Sequence, residues 1–361
     1  MDWVRGKRIG QGSFGTVNLA IPTNQTCSKM TAVKSCGVVH SASLMNEKSI
    51  LDELKGCNEI ISSFGDCFTI ENGEKLYNVL LEYASGGSLA NKLKNSDDHH
   101  FQEFDVKRYT KGVLRGLQFI HMNGYVHCDI KLQNILLDQN GDIKIADFGL
   151  AKKSVLNNKN NLGCELRGTP MYMSPETVIG GEQECPADIW ALGCVVAEMV
   201  TGASAWPCSD VAGLMMKIGG GEEVPEMPRE LSDEGKDFLE KCFAKDPKKR
   251  WTAELLLNHS FVYDTLDIDF IENSVSHWLI KNSSDLSLTS PRCPFDFSDW
   301  VTQHSSITYS IMSTSVAEDF DFIWCSRGGP STSVAERLAG LLLDQISPPD
   351  WSVEDHWVTV R

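Results

Sequence analysis

Asp129 and Asp147 stand 18 residues apart in the stretch 125–150, and Lys131 and Asn134 follow close behind the first. Two carboxylates, an amide and a lysine at such spacing suit phosphoryl transfer. That chemistry needs a base for a hydroxyl, oxygen ligands for Mg2+ and a cation for the moving phosphate. Between the carboxylates lie an apolar run (Ile135, Leu136, Leu137), the pair Asn140-Gly141 and an alternating segment (Ile143, Ile145). Asn-Gly between apolar runs signals a hairpin, which would return Asp147 towards Asp129 and Asn134. The plainer alternative is a turn-rich acidic loop on another fold, but Asp, Lys, Asn and Asp-Phe-Gly at these spacings rarely coincide.

The elements that must position this cluster lie upstream. Residues 9–17 carry Gly10, Gly12 and Gly15 and run into Thr16 and Val17. A lone Gly-x-Gly-x-x-Gly also marks dinucleotide folds, where it joins a strand to a helix. Here β-branched residues follow and helical spacing is missing. The expectation is therefore a strand-loop-strand flap whose amides approach phosphates without Cβ hindrance. A structural hairpin is the competing reading of the glycines taken alone.

Lys34 closes the strand Thr31-Ala32-Val33-Lys34. Such a lysine is ordinarily a snorkelling edge residue, but behind a glycine flap it reads as the cation for the α- and β-phosphates. Leu44, Ile50, Leu51 and Leu54 fit a helix. Glu47 shares a face with Ile50 and Leu51, which favours it over Glu53 as the partner of Lys34. Residues 76–83 form a strand whose end would hold adenine through backbone groups of Glu82 and Ala84, with Leu81 behind. Val106, Tyr109, Val113, Leu114, Leu117 and Ile120 define a core helix beneath the loop that bears Asp129.

With 361 residues and 42% apolar content, the chain has room for one large or two ordinary domains. A net charge of -16 argues against neutralisation of nucleic-acid phosphates. From Tyr263 onward there are 15 acidic and 5 basic residues, so -10 of that charge sits in the last 99 positions. A compact domain followed by an acidic appendage is expected. The 12 cysteines show no C-x-x-C pair and read as reduced thiols. No secretory h-region, lipidation signal or membrane-length apolar run occurs. The expected location is the cytoplasm; the nucleus is left open, because Lys248-Lys249-Arg250 is too short a basic run to decide it.

Residues 3–261, roughly 70% of the chain, resemble a eukaryotic protein kinase. The resemblance rests on the glycine loop, Lys34, Glu47, His127-Cys128-Asp129 with Asn134, and Asp147-Phe148-Gly149. Ser174-Pro175-Glu176, Asp188 and Arg250 complete the set. It implies an α+β bilobal fold over residues 3–262. A small antiparallel lobe with one helix (about 3–84) would precede a mainly helical lobe (about 85–262), and residues 263–361 would be an acidic tail. The implied catalytic residues are Asp129 and Lys131. ATP would be held by Ile9, Gly10, Gln11, Gly12, Ser13, Phe14, Gly15, Thr16 and Val17 of the flap. Ala32, Lys34, Glu47, Glu82, Ala84 and Leu136 complete that set, and Asn134 and Asp147 would hold Mg2+. Glu176 with Arg250 and Asp188 carry structural roles by the same resemblance.

Lys131 and Gly168-Thr169-Pro170 resemble serine/threonine rather than tyrosine kinases. The run from Gly168 to Glu176 is similar to MAP kinase kinase kinases of the MEKK-like type. Residues 81–89, 290–297 and 349–361 resemble their compact plant members. This implies a MAP kinase kinase as substrate in stress or hormone signalling. The rival expectation is a kinase-fold scaffold that recruits partners without turnover.

One departure stands out. Where most kinases have an arginine that grips a phosphate on the activation segment, this chain has Cys128, which offers no charge at neutral pH. Before Thr169 the segment's variable part holds Ser154 and little else with a hydroxyl. Activity independent of phosphate gripping is therefore expected. In the tail, Ser-Thr-Ser-Val-Ala-Glu occurs at 313–318 and 331–336. The second copy opens a helix with a Ser333–Glu336 capping box. Ser290 and Ser347, each followed by proline, are candidate acceptors for a downstream MAP kinase. Docking on the kinase itself, docking on a partner and plain disorder remain alternatives for this tail.

Overall fold

The computed structural model describes residues 3–12, 15–23, 30–154, 166–180, 183–207, 210–221 and 223–263. Ser13 and Phe14 of the flap, Ser290, Ser347, the repeated hexapeptide and the capping-box helix lie outside the described residues. The first strands are β1 (Trp3–Gly12), β2 (Gly15–Pro22) and β3 (Thr31–Gly37). After α1 (Ala42–Glu53) come β4 (Ser63–Glu71) and β5 (Glu74–Glu82). The five strands form one antiparallel sheet in the order β1-β2-β3-β5-β4. The glycine stretch is thus a hairpin between β1 and β2, with Gly12 opposite Gly15, and not a strand-to-helix turn. α1 buries Leu44, Glu47, Ile50 and Leu51 on one face, so the spacing that selected Glu47 also turns it inward.

The larger part begins with β6 (Gly87–Ser88), α2 (Leu89–Lys94) and α3 (Glu103–Met122). Next come β7 (Tyr125–Val126), β8 (Ile135–Leu137), β9 (Ile143–Ile145) and β10 (Lys152–Lys153). The remaining helices are α4 (Pro175–Ile179), α5 (Cys185–Thr201), α6 (Val211–Gly220), α7 (Asp233–Cys242) and α8 (Ala253–Leu257). α3 buries Val106, Tyr109, Val113, Leu114, Leu117 and Ile120, as its periodicity predicts. α5 is buried nearly all round, which makes it the axis of the lobe. Each fully buried aliphatic side chain contributes about 1.5–3 kcal/mol.

Two glycines let the site's hairpin lie against α3. A Cβ on Gly116 would come 2.6 Å from Ile145 Cδ1, and one on Gly112 would come 2.8 Å from Ile143. The hairpin pairs β8 with β9 in the register Ile135–Ile145 and Leu137–Ile143. Its connection differs from the two-residue Asn-Gly turn that the sequence suggests. Residues 138–142 form a longer loop in which Asp138 Oδ1 accepts the amides of Asn140 (2.7 Å) and Asp142 (2.9 Å). β9 is also buried on both faces, Lys144 included, so its alternation is not core against solvent. Among the described residues no helix is long and apolar enough to cross a membrane.

Candidate active site

A cleft of about 640 Å³ opens between the sheet and the helical part. From the flap it is lined by Ile9, Gly12, Gly15 and Val17, and from the sheet and α1 by Lys34 and Glu47. Leu81, Glu82 and Ala84 line the connection between the lobes, while Asn134, Leu136 and Asp147 form the floor. Gly10, Gln11 and Thr16 belong to the flap ladder but do not line the cavity. Ala32 is buried in the core behind the cleft and does not line it either. Thr16 alternates with Val17, which does line the cleft, as the β period requires.

Lys34 carries the charge of the upper wall. Its Nζ is 2.6 Å from Glu47 Oε2 and 2.8 Å from Asp147 Oδ1. Burial alone would depress the ammonium, but the two carboxylates outweigh it and hold Lys34 charged, above its ordinary range. Burial likewise opposes the Asp147 carboxylate, and Lys34 overcomes that and keeps it ionised, below its ordinary range. Asp147 has a left-handed backbone at φ 65°. For a residue with a Cβ that conformation costs about 1–2 kcal/mol, and such strain collects where a side chain must be aimed. Glu47 Oε1 also accepts the Phe148 amide at 3.3 Å, which ties α1 to the Asp-Phe-Gly turn.

On the opposite wall Asp129 is 7% exposed and surrounded by donors. Asn134 Nδ2 donates to its Oδ2 at 2.9 Å, and Lys131 Nζ lies 2.8 Å from the same oxygen. Thr169 Oγ1 donates to Oδ1 at 2.7 Å, while Lys131 Nζ donates to Thr169 Oγ1 at 2.9 Å. Three side chains from two distant segments thus close a ring. From the sequence, Thr169 has no site role; it enters there only within Gly168-Thr169-Pro170, as a mark of serine/threonine specificity. Gly168 is required there: at φ 103°, a Cβ would meet the Cys128 carbonyl oxygen at 2.3 Å.

Beneath the loop, Asp188 Oδ2 accepts the His127 amide and Oδ1 the Cys128 amide, both at 2.9 Å. His127 is fully buried, and burial pushes its ring below the ordinary histidine range. A neutral ring fits its two bonds. Nδ1 accepts the Asp129 amide at 3.2 Å, and Nε2 donates to the Ala146 carbonyl at 3.2 Å. Arg250 Nη1 and Nη2 reach Glu176 at 2.6 and 3.0 Å, the ion pair expected from the sequence. The Cys128 thiol is buried, hydrogen-bonds the Val126 carbonyl and is pushed up by burial, which makes it an inert group.

The donor set suits a nucleotide with its cation. Among the described residues no group of three or more His, Cys, Asp or Glu side chains could cage a metal unaided. Mg2+ does not ask for such a cage: it takes one or two protein oxygens and completes its shell with phosphates and water. Asp147 offers a carboxylate. Asn134, whose Nδ2 is committed to Asp129, offers its amide oxygen.

A family model described as a protein kinase domain matches residues 3–262. Mitogen-activated protein kinase kinase kinase 20 of Arabidopsis thaliana is 47% identical over 369 residues, covering 100% of both chains. Mitogen-activated protein kinase kinase kinases 17 and 18 of the same plant are 38% and 39% identical, over 74% and 73% of this chain and 72% and 78% of theirs. This chain belongs to the protein kinase family and, within it, to the MAP kinase kinase kinases. Members of the family use ATP and a divalent metal, and this chain is a serine/threonine protein kinase.

Proposed function

We propose that this kinase transfers the γ-phosphate of ATP to serine or threonine hydroxyls of a MAP kinase kinase. The observation that carries the reading is the closed ring of Asp129, Lys131 and Thr169, facing the Lys34–Glu47–Asp147 ion pairs across one cleft. Asp129 receives the proton of the incoming hydroxyl. Lys131 neutralises charge on the phosphoryl group as it leaves ADP, and Lys34 fixes the remaining phosphates. Asn134 and Asp147 hold Mg2+, which supplies charge neutralisation on the phosphate oxygens when bound. Backbone groups of Glu82 and Ala84 hold the adenine, and the flap from Ile9 to Val17 covers the phosphates. The downstream step is a MAP kinase, which we propose returns to phosphorylate Ser290 and Ser347.

The decisive experiment is phosphate transfer from labelled ATP by the purified chain, with a panel of catalytically inactive MAP kinase kinases as acceptors. Lys34→Met and Asp129→Ala serve as controls. Labelling of one acceptor at an activation-segment serine or threonine, lost in both variants, establishes the substrate. ATP binding without transfer to any acceptor would move the reading to a scaffold.

A further inference from the structure

With Cys128 in place of a cation, something else must hold the activation segment against the catalytic loop. Two consecutive residues just ahead of α5 touch both arms of that segment. Gln183 is 8% exposed, and its Nε2 donates to the carbonyls of Arg167 (3.2 Å) on the returning arm and Cys128 (3.5 Å) on the catalytic loop. Glu184 takes the outgoing arm. Its Oε1 lies 3.2 Å from Lys152 Nζ, and its Oε2 accepts the Ser154 hydroxyl at 2.5 Å. The Ser154 amide in turn donates to the Gly124 carbonyl at 2.8 Å. The Glu184 carboxylate thus already occupies Lys152, a basic group that an added phosphate would seek.

We propose that Gln183 and Glu184 are positioning residues, and that the fixed charge of Glu184 holds the activation segment in its productive shape without phosphorylation. The ground is geometric. One dipeptide joins Lys152, Ser154, Arg167 and Cys128, and the anion needed to neutralise Lys152 is already part of the chain. A phosphate on Ser154 would add two negative charges opposite Glu184 and push the outgoing arm away. Modification there is inhibitory on this account, the reverse of an activating phosphate.

The test uses the full chain, stripped of phosphate by a phosphatase that is then removed, with myelin basic protein as acceptor. The result therefore depends on kinase activity and not on which MAP kinase kinase is the substrate. Stripped wild-type protein is expected to keep its rate within about twofold. Glu184→Ala is expected to lower kcat roughly tenfold or more while the KM for ATP stays unchanged, because the segment and not the cleft is misplaced. Lys152→Glu and Glu184→Lys each lower kcat, and the double variant, which restores opposite charges, recovers most of it; a role in mere folding would not produce that split and rescue. Ser154→Ala remains active and Ser154→Asp does not. Loss of wild-type activity on phosphate removal overturns the proposal. So does a folded Glu184→Ala protein with full kcat, or an inactive Ser154→Ala protein with an unchanged melting temperature. If Glu184→Ala does not fold, the phosphatase and charge-exchange arms still decide.

Discussion

Asp129 and Asp188 lie on opposite faces of one loop; Asp188 accepts three hydrogen bonds, and Asp129 accepts two and pairs with Lys131. The donors differ in kind. Asp188 is held by the amides of His127 and Cys128 and by His121 Nε2, at 2.9 Å each, and is 1% exposed. Burial alone would raise its carboxyl, but the His121 bond and charge and the His127 amide outweigh it, so the group stays ionised below its ordinary range. The donors to Asp129 are all side chains, from Asn134, Lys131 and Thr169, and side chains can rotate away when a hydroxyl and a phosphate arrive. The loop is thus held from below mainly by its own backbone amides, which cannot leave, and tuned from above by side chains, which can. Chemistry needs the exchangeable face, and precision comes from the fixed one.

The largest expected effect breaks only the upper face. Asp129→Asn should reduce phosphate transfer by roughly 10²–10⁴-fold, as expected for loss of a positioned base, with little change in melting temperature. Its counterpart below, Asp188→Asn, replaces an acceptor oxygen by an amide that faces a backbone donor. A buried donor left without a partner costs about 1–3 kcal/mol, so urea unfolding should show a loss near the top of that range. If Asp129→Asn destabilises the protein as much as Asp188→Asn does, the division into fixed and exchangeable faces is wrong.

Thr169 sharpens the same contrast with a smaller effect. Thr169→Val keeps the shape but removes the hydroxyl that links Asp129 to Lys131. Its kcat should fall roughly tenfold with the KM for ATP unchanged, since the cleft wall around Lys34 is untouched. Thr169→Ser should keep most of the activity. Equal losses in both variants would mean that the methyl group, and not the hydroxyl, matters.

What could be read from the sequence follows the distance over which its periodicities act. The Lys34–Glu47 pair was legible because Ile50 and Leu51 mark the buried face of α1. Glu53, the other carboxylate, sits at the end of that helix, half-exposed, and reaches Lys153 instead. The hairpin was legible as a hairpin. Its loop was not, because the Asp138 side chain captures two amides and makes a longer turn than Asn140-Gly141 alone implies. Thr169 is 40 residues from Asp129, and Gln183 is 55 from Cys128. Contacts at that range depend on how the activation segment folds back, and no local period encodes them. Thr16 shows the converse: a motif names a contiguous run, while a strand turns every second residue, here the neighbour of Val17, away from the cleft.

The smallest expected effect connects the two faces through His127. Its ring accepts the Asp129 amide, donates to Ala146 just before Asp147 and packs edge-on against Phe148 at 4.7 Å. Burial favours the neutral ring in the folded protein, although Asp188, Asp129 and Asp147 pull the other way. An unfolded histidine takes up its proton near pH 6.5, so just below that pH the unfolded chain binds more protons than the native one. The His127 contribution to stability then falls as pH drops below about 6.5. Asp147 and Asp188 have depressed carboxyls, and their contribution is lost only at lower pH, below the ordinary aspartate range. Glu198, raised by burial under the Tyr172 hydroxyl, acts with the opposite sign and loses stability as pH rises from its unfolded range. The net slope therefore mixes several groups, and the difference between two proteins isolates one. Urea unfolding of wild type and His127→Asn at pH 7 and 5.5 should show a smaller decline in the variant, beside a lower stability at pH 7. Equal declines would mean that the ring stays in place when protonated, and that the link from the Asp129 amide to the Asp147 turn tolerates the charge.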